Sequence, residues 1–252
     1  MNIHPAKKNR ALAAFTLIEI AICLAIIGFA LVVIIGVLST GMDTQRDLRE
    51  QTIINQDATV LLEAIRSGAR GADDLTNYVY AIANLGNNSI YLNPSLASQM
   101  NFSAAISFPG VTQSPLQLTN GANIIGLLST PEFVDTNGNP TSQFYNYSAS
   151  NHIIACVRSI SGSAAEKPPQ DNGLMVGDAF GYRVYCVNAV NPSPPLANYL
   201  HELRLTFLWP QLPNGNVGNY HQTFRVSVAG QLSYQPTNGL NLYFYQPQSF
   251  IQ

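Results

Sequence analysis

The sequence predicts an α+β chain: a long N-terminal helix, membrane-spanning in its apolar half, packed on a C-terminal antiparallel β-rich globular domain. Three observations carry this. No proline interrupts the chain between Phe15 and Pro94. The residues from Ile20 to Met42 carry no charge, and about 20 apolar residues cross a hydrocarbon core as a helix. In the C-terminal half, short runs such as Phe224-Arg225-Val226-Ser227-Val228 alternate sides as strands do.

The helix is expected from about Phe15 to Arg66 or Ser67, ending near Gly68 and Gly71. Its first half is apolar all round. Its second half, 43–70, is amphipathic. Leu48, Ile53, Ile54, Val60, Leu61, Leu62 and Ile65 are apolar, with Arg46, Asp47, Arg49, Glu50, Asp57, Glu63 and Arg66 between them. Such a stripe needs a globular domain to cover it.

Upstream of Phe15 lie Lys7, Lys8 and Arg10, with no acid before Glu19. Flanking cations hold that side in the cytoplasm, so the rest of the chain is expected on the far side of the membrane. The apolar run is longer than a secretory signal core and no A-x-A pattern follows it. Small residues instead precede it, at Ala11, Ala13 and Ala14. Glu19 stands out, because a carboxylate deep in a bilayer costs roughly 2.5–3.5 kcal/mol and needs a partner. The competing reading is an acid near the membrane edge that snorkels to the surface.

The basic leader, the small Ala14, Phe15-Thr16-Leu17-Ile18-Glu19 and the apolar run together resemble the N-terminus of the type IV prepilin family, which includes major and minor pilins and type II secretion pseudopilins. The matching segment covers about residues 5–40. The resemblance implies a pilin-like fold, cleavage between Ala14 and Phe15 by a prepilin peptidase, and N-methylation of Phe15. It further implies that Glu19, fifth in the processed chain, pairs with the N-terminal amine of a neighbouring subunit. Implied partners are that peptidase, other pilin or pseudopilin subunits, an inner-membrane assembly platform and membrane lipid. Two features depart from the family pattern. Ala14 stands where the family has Gly, and Gly28, Gly36 and Gly41 stand in a helix that often carries a mid-span Pro.

Domain organisation follows: a leader at 1–14, the span at 15–42, the amphipathic half-helix at 43–70 and an exported domain at 71–252. Charged residues are 10% of the chain against an average near 25%, which suits an extracytoplasmic β-rich domain with long loops. Removing Lys7, Lys8 and Arg10 from the 12 basic residues leaves nine against 14 acidic ones, so nothing points to nucleic acid. Cys23 lies in the span and reads as a small hydrophobe. Cys156 and Cys186 lie in strand-like runs of the exported part, where an oxidising compartment leads us to expect a Cys156–Cys186 disulfide.

Beyond Gly71, Leu75 to Leu92 reads as a short helix followed by a strand at Ser89–Leu92. Short apolar pieces follow at Ile106-Ser107-Phe108 and Ile124–Leu128. Later strands are His152–Arg158, Gly181–Val190, Glu202–Trp209, Gln222–Ala229 and Leu240–Tyr245. Their spacing of about 20 residues suggests an antiparallel meander. The stretches Lys167–Gly173 and Pro192-Ser193-Pro194-Pro195 read as connectors.

No constellation points to catalysis, a cofactor or a metal. Asp135-Thr136-Asn137-Gly138-Asn139 resembles the start of a calcium loop, but its Gly is misplaced and Asn146 stands where an acid is required, so an Asn-Gly turn is expected. His152, His201 and His221 show no ligand spacing, and His4 lies in the leader. Ser161-Gly162-Ser163 lacks the flanks of a nucleophile elbow. Tyr243-Phe244-Tyr245 reads as a core strand. The function that the resemblance implies is a structural one: a minor pilin or pseudopilin subunit of a type IV pilus or type II secretion-like filament, not an enzyme. It sits as a single-pass inner-membrane protein with its N-terminus cytoplasmic before assembly. The alternative is a static single-pass anchor carrying an exported binding domain.

Overall fold

The computed structural model describes residues 16–68, 73–118, 120–162, 180–193, 196–212, 215–237 and 239–246. The leader, Ala14, Phe15, Gly71, Ser163, the 167–173 connector and Pro194-Pro195 lie outside them. The described chain divides into two units, one ending at Arg49 and one beginning at Glu50.

Helix α1 runs from Leu17 to Ser67 without interruption at Gly28, Gly36 or Gly41. It starts where Thr16 caps it: the Glu19 N–H donates to the Thr16 carbonyl at 3.0 Å and lies 3.4 Å from its hydroxyl oxygen. Gly68, at φ +64, closes it, donating its N–H to the Ile65 carbonyl at 3.3 Å. Residues 16–49 are all exposed within the chain. From Glu50 onward the helix buries Glu50, Ile53, Ile54, Asp57, Ala58, Leu61 and Ile65, a stripe at three- and four-residue spacing. The expected stripe was right at Ile53, Ile54, Leu61 and Ile65. Leu48 and Val60 are exposed, and two carboxylates occupy the buried face instead.

The second unit is built on a seven-stranded sheet. Its strands are β1 (Val79–Asn84), β2 (Ser89–Leu92), β3 (Leu116–Gln117), β7 (Ile153–Arg158), β8 (Gly181–Val190), β9 (Leu200–Gln211) and β10 (Val217–Ala229), in the order β10-β9-β8-β7-β1-β2-β3. The expected meander is present as β7 to β10, each antiparallel to the next. β1 joins it beside β7 rather than continuing a helix. A three-stranded sheet comprises β4 (Phe133–Val134), β5 (Pro140–Thr141) and β6 (Ala149–Ser150), and a hairpin comprises β11 (Gln231–Thr237) and β12 (Leu240–Gln246).

The two faces of the large sheet carry separate cores. On one, Ile54, Ala58, Leu61 and Ile65 of α1 meet Val184, Leu203, Leu205 and Phe207 of the sheet, Ile124 and Leu128 of α4 (Gly121–Leu128), and Leu242, Tyr243 and Tyr245 of β12. On the other, Leu96 of α2 (Pro94–Gln99) and Phe108, which follows α3 (Ala104–Ser107), pack on Tyr80, Ala81, Ala83, Ile154 and Cys156. The apolar pieces at 106–108 and 124–128 thus sit in or beside short helices. Asn93 and Asn120 start α2 and α4, their side chains accepting from Leu96 N–H at 3.3 Å and Asn123 N–H at 2.8 Å.

The expected Cys156–Cys186 disulfide is not formed; both thiols are free and buried. Register explains it. Cys156 lies opposite Arg183 and Cys186 opposite Ile153, a stagger of three residues. An odd stagger puts the side chains on opposite faces, and Cys156 packs in one core while Cys186 packs in the other. Three residues span about 10 Å along a strand, beyond the roughly 4.4–6.8 Å between Cα atoms that a bridge requires. Burial pushes the Cys156 thiol up to about 12 and also raises Cys186, so both behave as small inert hydrophobes.

Candidate functional site

The first half of α1 is exposed throughout. Leu17, Phe29, Val32, Ile35 and Val37 are each at least two-thirds exposed, and the helix is long and apolar enough to cross a membrane. Glu19 sits in its first turn, exposed, with no cationic partner among the described residues. Thr16 accepts from the Glu19 backbone N–H, at 3.4 Å from the hydroxyl oxygen. Cys23, expected to be buried within the span, is exposed on the isolated helix. The predicted cut at Ala14 and Phe15 lies just before the first described residue.

The sheet domain, from Glu50 onward, holds its buried ionisable groups in structural roles. Asp57 of α1 is fully buried and accepts four hydrogen bonds: from the Ile160 N–H at 2.9 Å, the Ser161 N–H at 2.8 Å, the Ser161 hydroxyl and the Tyr182 hydroxyl at 2.8 Å. Burial raises its pKa above the ordinary Asp value, and these donors, the Ser161 hydroxyl foremost, offset part of the rise. No cation contributes. The carboxylate ties α1 to the segment after β7 and to the start of β8. The sequence pattern places Asp57 among the charges between the apolar positions, without assigning it a buried role. The signal was present, because Asp57 falls three to four residues from Ile53, Ile54 and Leu61, on the buried stripe itself. Ser161, weighed as a nucleophile, is a donor to this carboxylate.

Of the three histidines in the sheet domain, His152 and His221 are exposed, while His201 is buried edge-on to the Tyr245 ring at 5.4 Å. Its nitrogens have no hydrogen-bond partner, and burial depresses it to about 4, so it is a neutral core residue. Asp135 closes the expected turn between β4 and β5. Its carboxylate accepts from the Asn137 and Asn139 N–H groups at 2.8 Å each and from the Asn139 side chain at 3.2 Å, with Gly138 at φ +81. A slight burial cost is outweighed by these donors, Asn139 first, and the group is held below its ordinary value. No group of three His, Cys, Asp or Glu suited to a metal occurs among the described residues. Tyr243 and Tyr245 are core residues, as expected.

A cavity of about 60 Å³ lies between Tyr80, Phe102, Ile106, Gly181 and Gln211. That is room for about two waters, against the roughly 300–1,000 Å³ of an organic-ligand site.

No family model, no curated protein and no solved structure matches this chain. What fold and site define is a class: an α+β protein with a sheet-rich C-terminal domain and an N-terminal helix of membrane-spanning length and apolarity.

Proposed function

We propose that the chain is a structural subunit of a type IV pilus or type II secretion-like filament, of the minor pilin or pseudopilin kind. In this reading the leader is removed on the cytoplasmic side between Ala14 and Phe15, the new Phe15 amine is methylated, and the subunit waits in the inner membrane as a single-pass protein. Assembly moves the apolar half of α1 from lipid into contact with equivalent helices, so its uncovered surface loses little. The observation that carries the reading is the lone Glu19 carboxylate, without a cation among the described residues, on a helix that the chain's own core leaves bare. A charge so placed needs an opposite charge before it can be buried in a helical bundle, and a neighbour's freshly exposed amine supplies one.

Two measurements test this. Mass spectrometry of the N-terminus, on protein from membrane and sheared-filament fractions, should find N-methyl-Phe15; an intact leader on all of the protein overturns the reading. Glu19→Ala should leave membrane insertion unchanged and deplete the subunit from the filament fraction by at least tenfold, the equivalent of about 1.4 kcal/mol. Normal incorporation of that variant refutes the assembly role of Glu19.

A further inference from the structure

The large sheet ends on one side in β10, a strand of 13 residues. The Gly230 N–H donates to the Tyr199 carbonyl at 2.9 Å, and the register continues through Ala229↔Leu200 and Val228↔His201. Antiparallel ladders alternate, so Val228, Val226, Phe224, Gln222 and Tyr220 bond to β9, while His221, Thr223, Arg225, Ser227 and Ala229 aim both backbone groups outward. No described strand pairs with that edge. Natural edges are blunted by proline, lysine, bulges or brevity; β10 has no proline, no lysine and one charge, Arg225, and its register shift lies between Val217 and Tyr220, before the outward residues.

Arg225 lies directly opposite Arg204 of β9. Like charges in that position oppose each other. Glu202 Oε1 stands 3.4 Å from Arg204 Nε, and no ion pair to Arg225 is found among the described residues. From Glu50 onward the described residues contain five arginines and no lysine; Arg158 and Arg183 are buried and Arg66 is paired with Glu63. Beside the arginine pair, the Thr206 and Thr223 hydroxyls share a hydrogen bond at 2.9 Å, which gives the face a polar β-branched row.

We infer that the outer edge of β10 is a docking edge for an extended acidic segment of a partner polypeptide, which adds as a further strand and sets a carboxylate beside Arg225. Main-chain bonds to the five outward residues supply affinity, and the arginine pair selects the register and the charge. A second copy of the chain is the wrong occupant. Antiparallel edge pairing about Arg225 would place two such arginines opposite one another, which disfavours a second copy in the register that the arginine pair selects. The inference stands on the sheet alone and does not depend on the filament reading.

The test uses the full chain in detergent micelles and short fluorescent peptides of alternating threonine and valine with one central glutamate or lysine. The glutamate peptide should bind roughly tenfold more tightly than the lysine peptide, and less tightly as salt rises. Arg225→Glu should reverse the order and Arg225→Gln should erase it, with circular dichroism unchanged. N-methylating the glutamate peptide along one edge should abolish binding, and along the other should spare it. Equal binding of the two peptides, no binding by either, or binding that survives N-methylation of each edge in turn overturns the proposal.

Discussion

Asp57 and His201 show how buried ionisable residues tune this domain, and in opposite senses. Asp57→Ala would strand the Ile160 and Ser161 N–H groups and the Tyr182 hydroxyl without their acceptor. A buried unmade hydrogen bond costs about 1–3 kcal/mol, so the variant should lose about 3 kcal/mol in total and unfold roughly 6–12 °C lower in a thermal scan. A change under 2 °C would show that the carboxylate is not a tether. Because folding raises the Asp57 pKa, the native state holds that proton more tightly than the unfolded chain. This term is fully present below the ordinary Asp value, falls as pH rises through the raised one and is then level. His201 works the other way. Its folded value is about 4 against 6.5 unfolded, so its neutral form stabilises above 6.5 and is lost as pH falls towards 4. That shift corresponds to roughly 3 kcal/mol. Denaturant unfolding at pH 7 and pH 4.5 should show wild type losing about 2–3 kcal/mol more than His201→Phe over that interval; parallel losses would place the acid sensitivity elsewhere.

Boundaries that depend on one residue's chemistry were legible, and features that depend on what lies across the sheet were not. The end of α1 could be read from Gly68 because a left-handed C-terminal residue favours glycine, and the structure adds a second reason. A Cβ at Gly68 would stand 2.5 Å from the Tyr245 carbonyl oxygen of β12. Gly68→Ala should therefore cost at least about 2 kcal/mol, combining backbone strain with that clash, whereas Gly110→Ala, with open space around the site, should be near neutral. Comparable midpoints for the two variants would remove the argument. β1 escaped notice because all six of its residues are buried, leaving no alternation to read. β11 was hidden by Pro236, tolerated in a two-stranded hairpin. The disulfide expectation failed for a related reason: sequence spacing gave two cysteines in neighbouring strands but not their stagger of three. The buried role of Asp57 was missed although its spacing was correct, because a carboxylate on an apolar stripe makes sense only once the Ser161 and Tyr182 donors are known.

For the whole molecule, the division at Arg49 and Glu50 separates two kinds of surface. Every residue of the described hydrophobic cores belongs to the second unit, α1 contributing from Ile54 onward. The first unit contributes none. The half-helix beyond Glu50 therefore completes the described core of the sheet domain. A chain lacking residues 1–42 keeps Asp43, Arg46, Asp47 and Arg49 as a polar lead-in and the complete buried stripe. It should fold without detergent, remain monomeric in size-exclusion chromatography and unfold within about 2 °C of the full chain in micelles, since less than about 1 kcal/mol of core contact is removed. A chain begun after Ser67 loses Asp57 together with Ile54, Leu61 and Ile65, exposes the sheet face that they cover, and should aggregate. If instead the first truncation is unstable and the second is sound, the apolar run stabilises the domain directly. The proposal that this helix faces lipid and then neighbouring subunits would lose its basis.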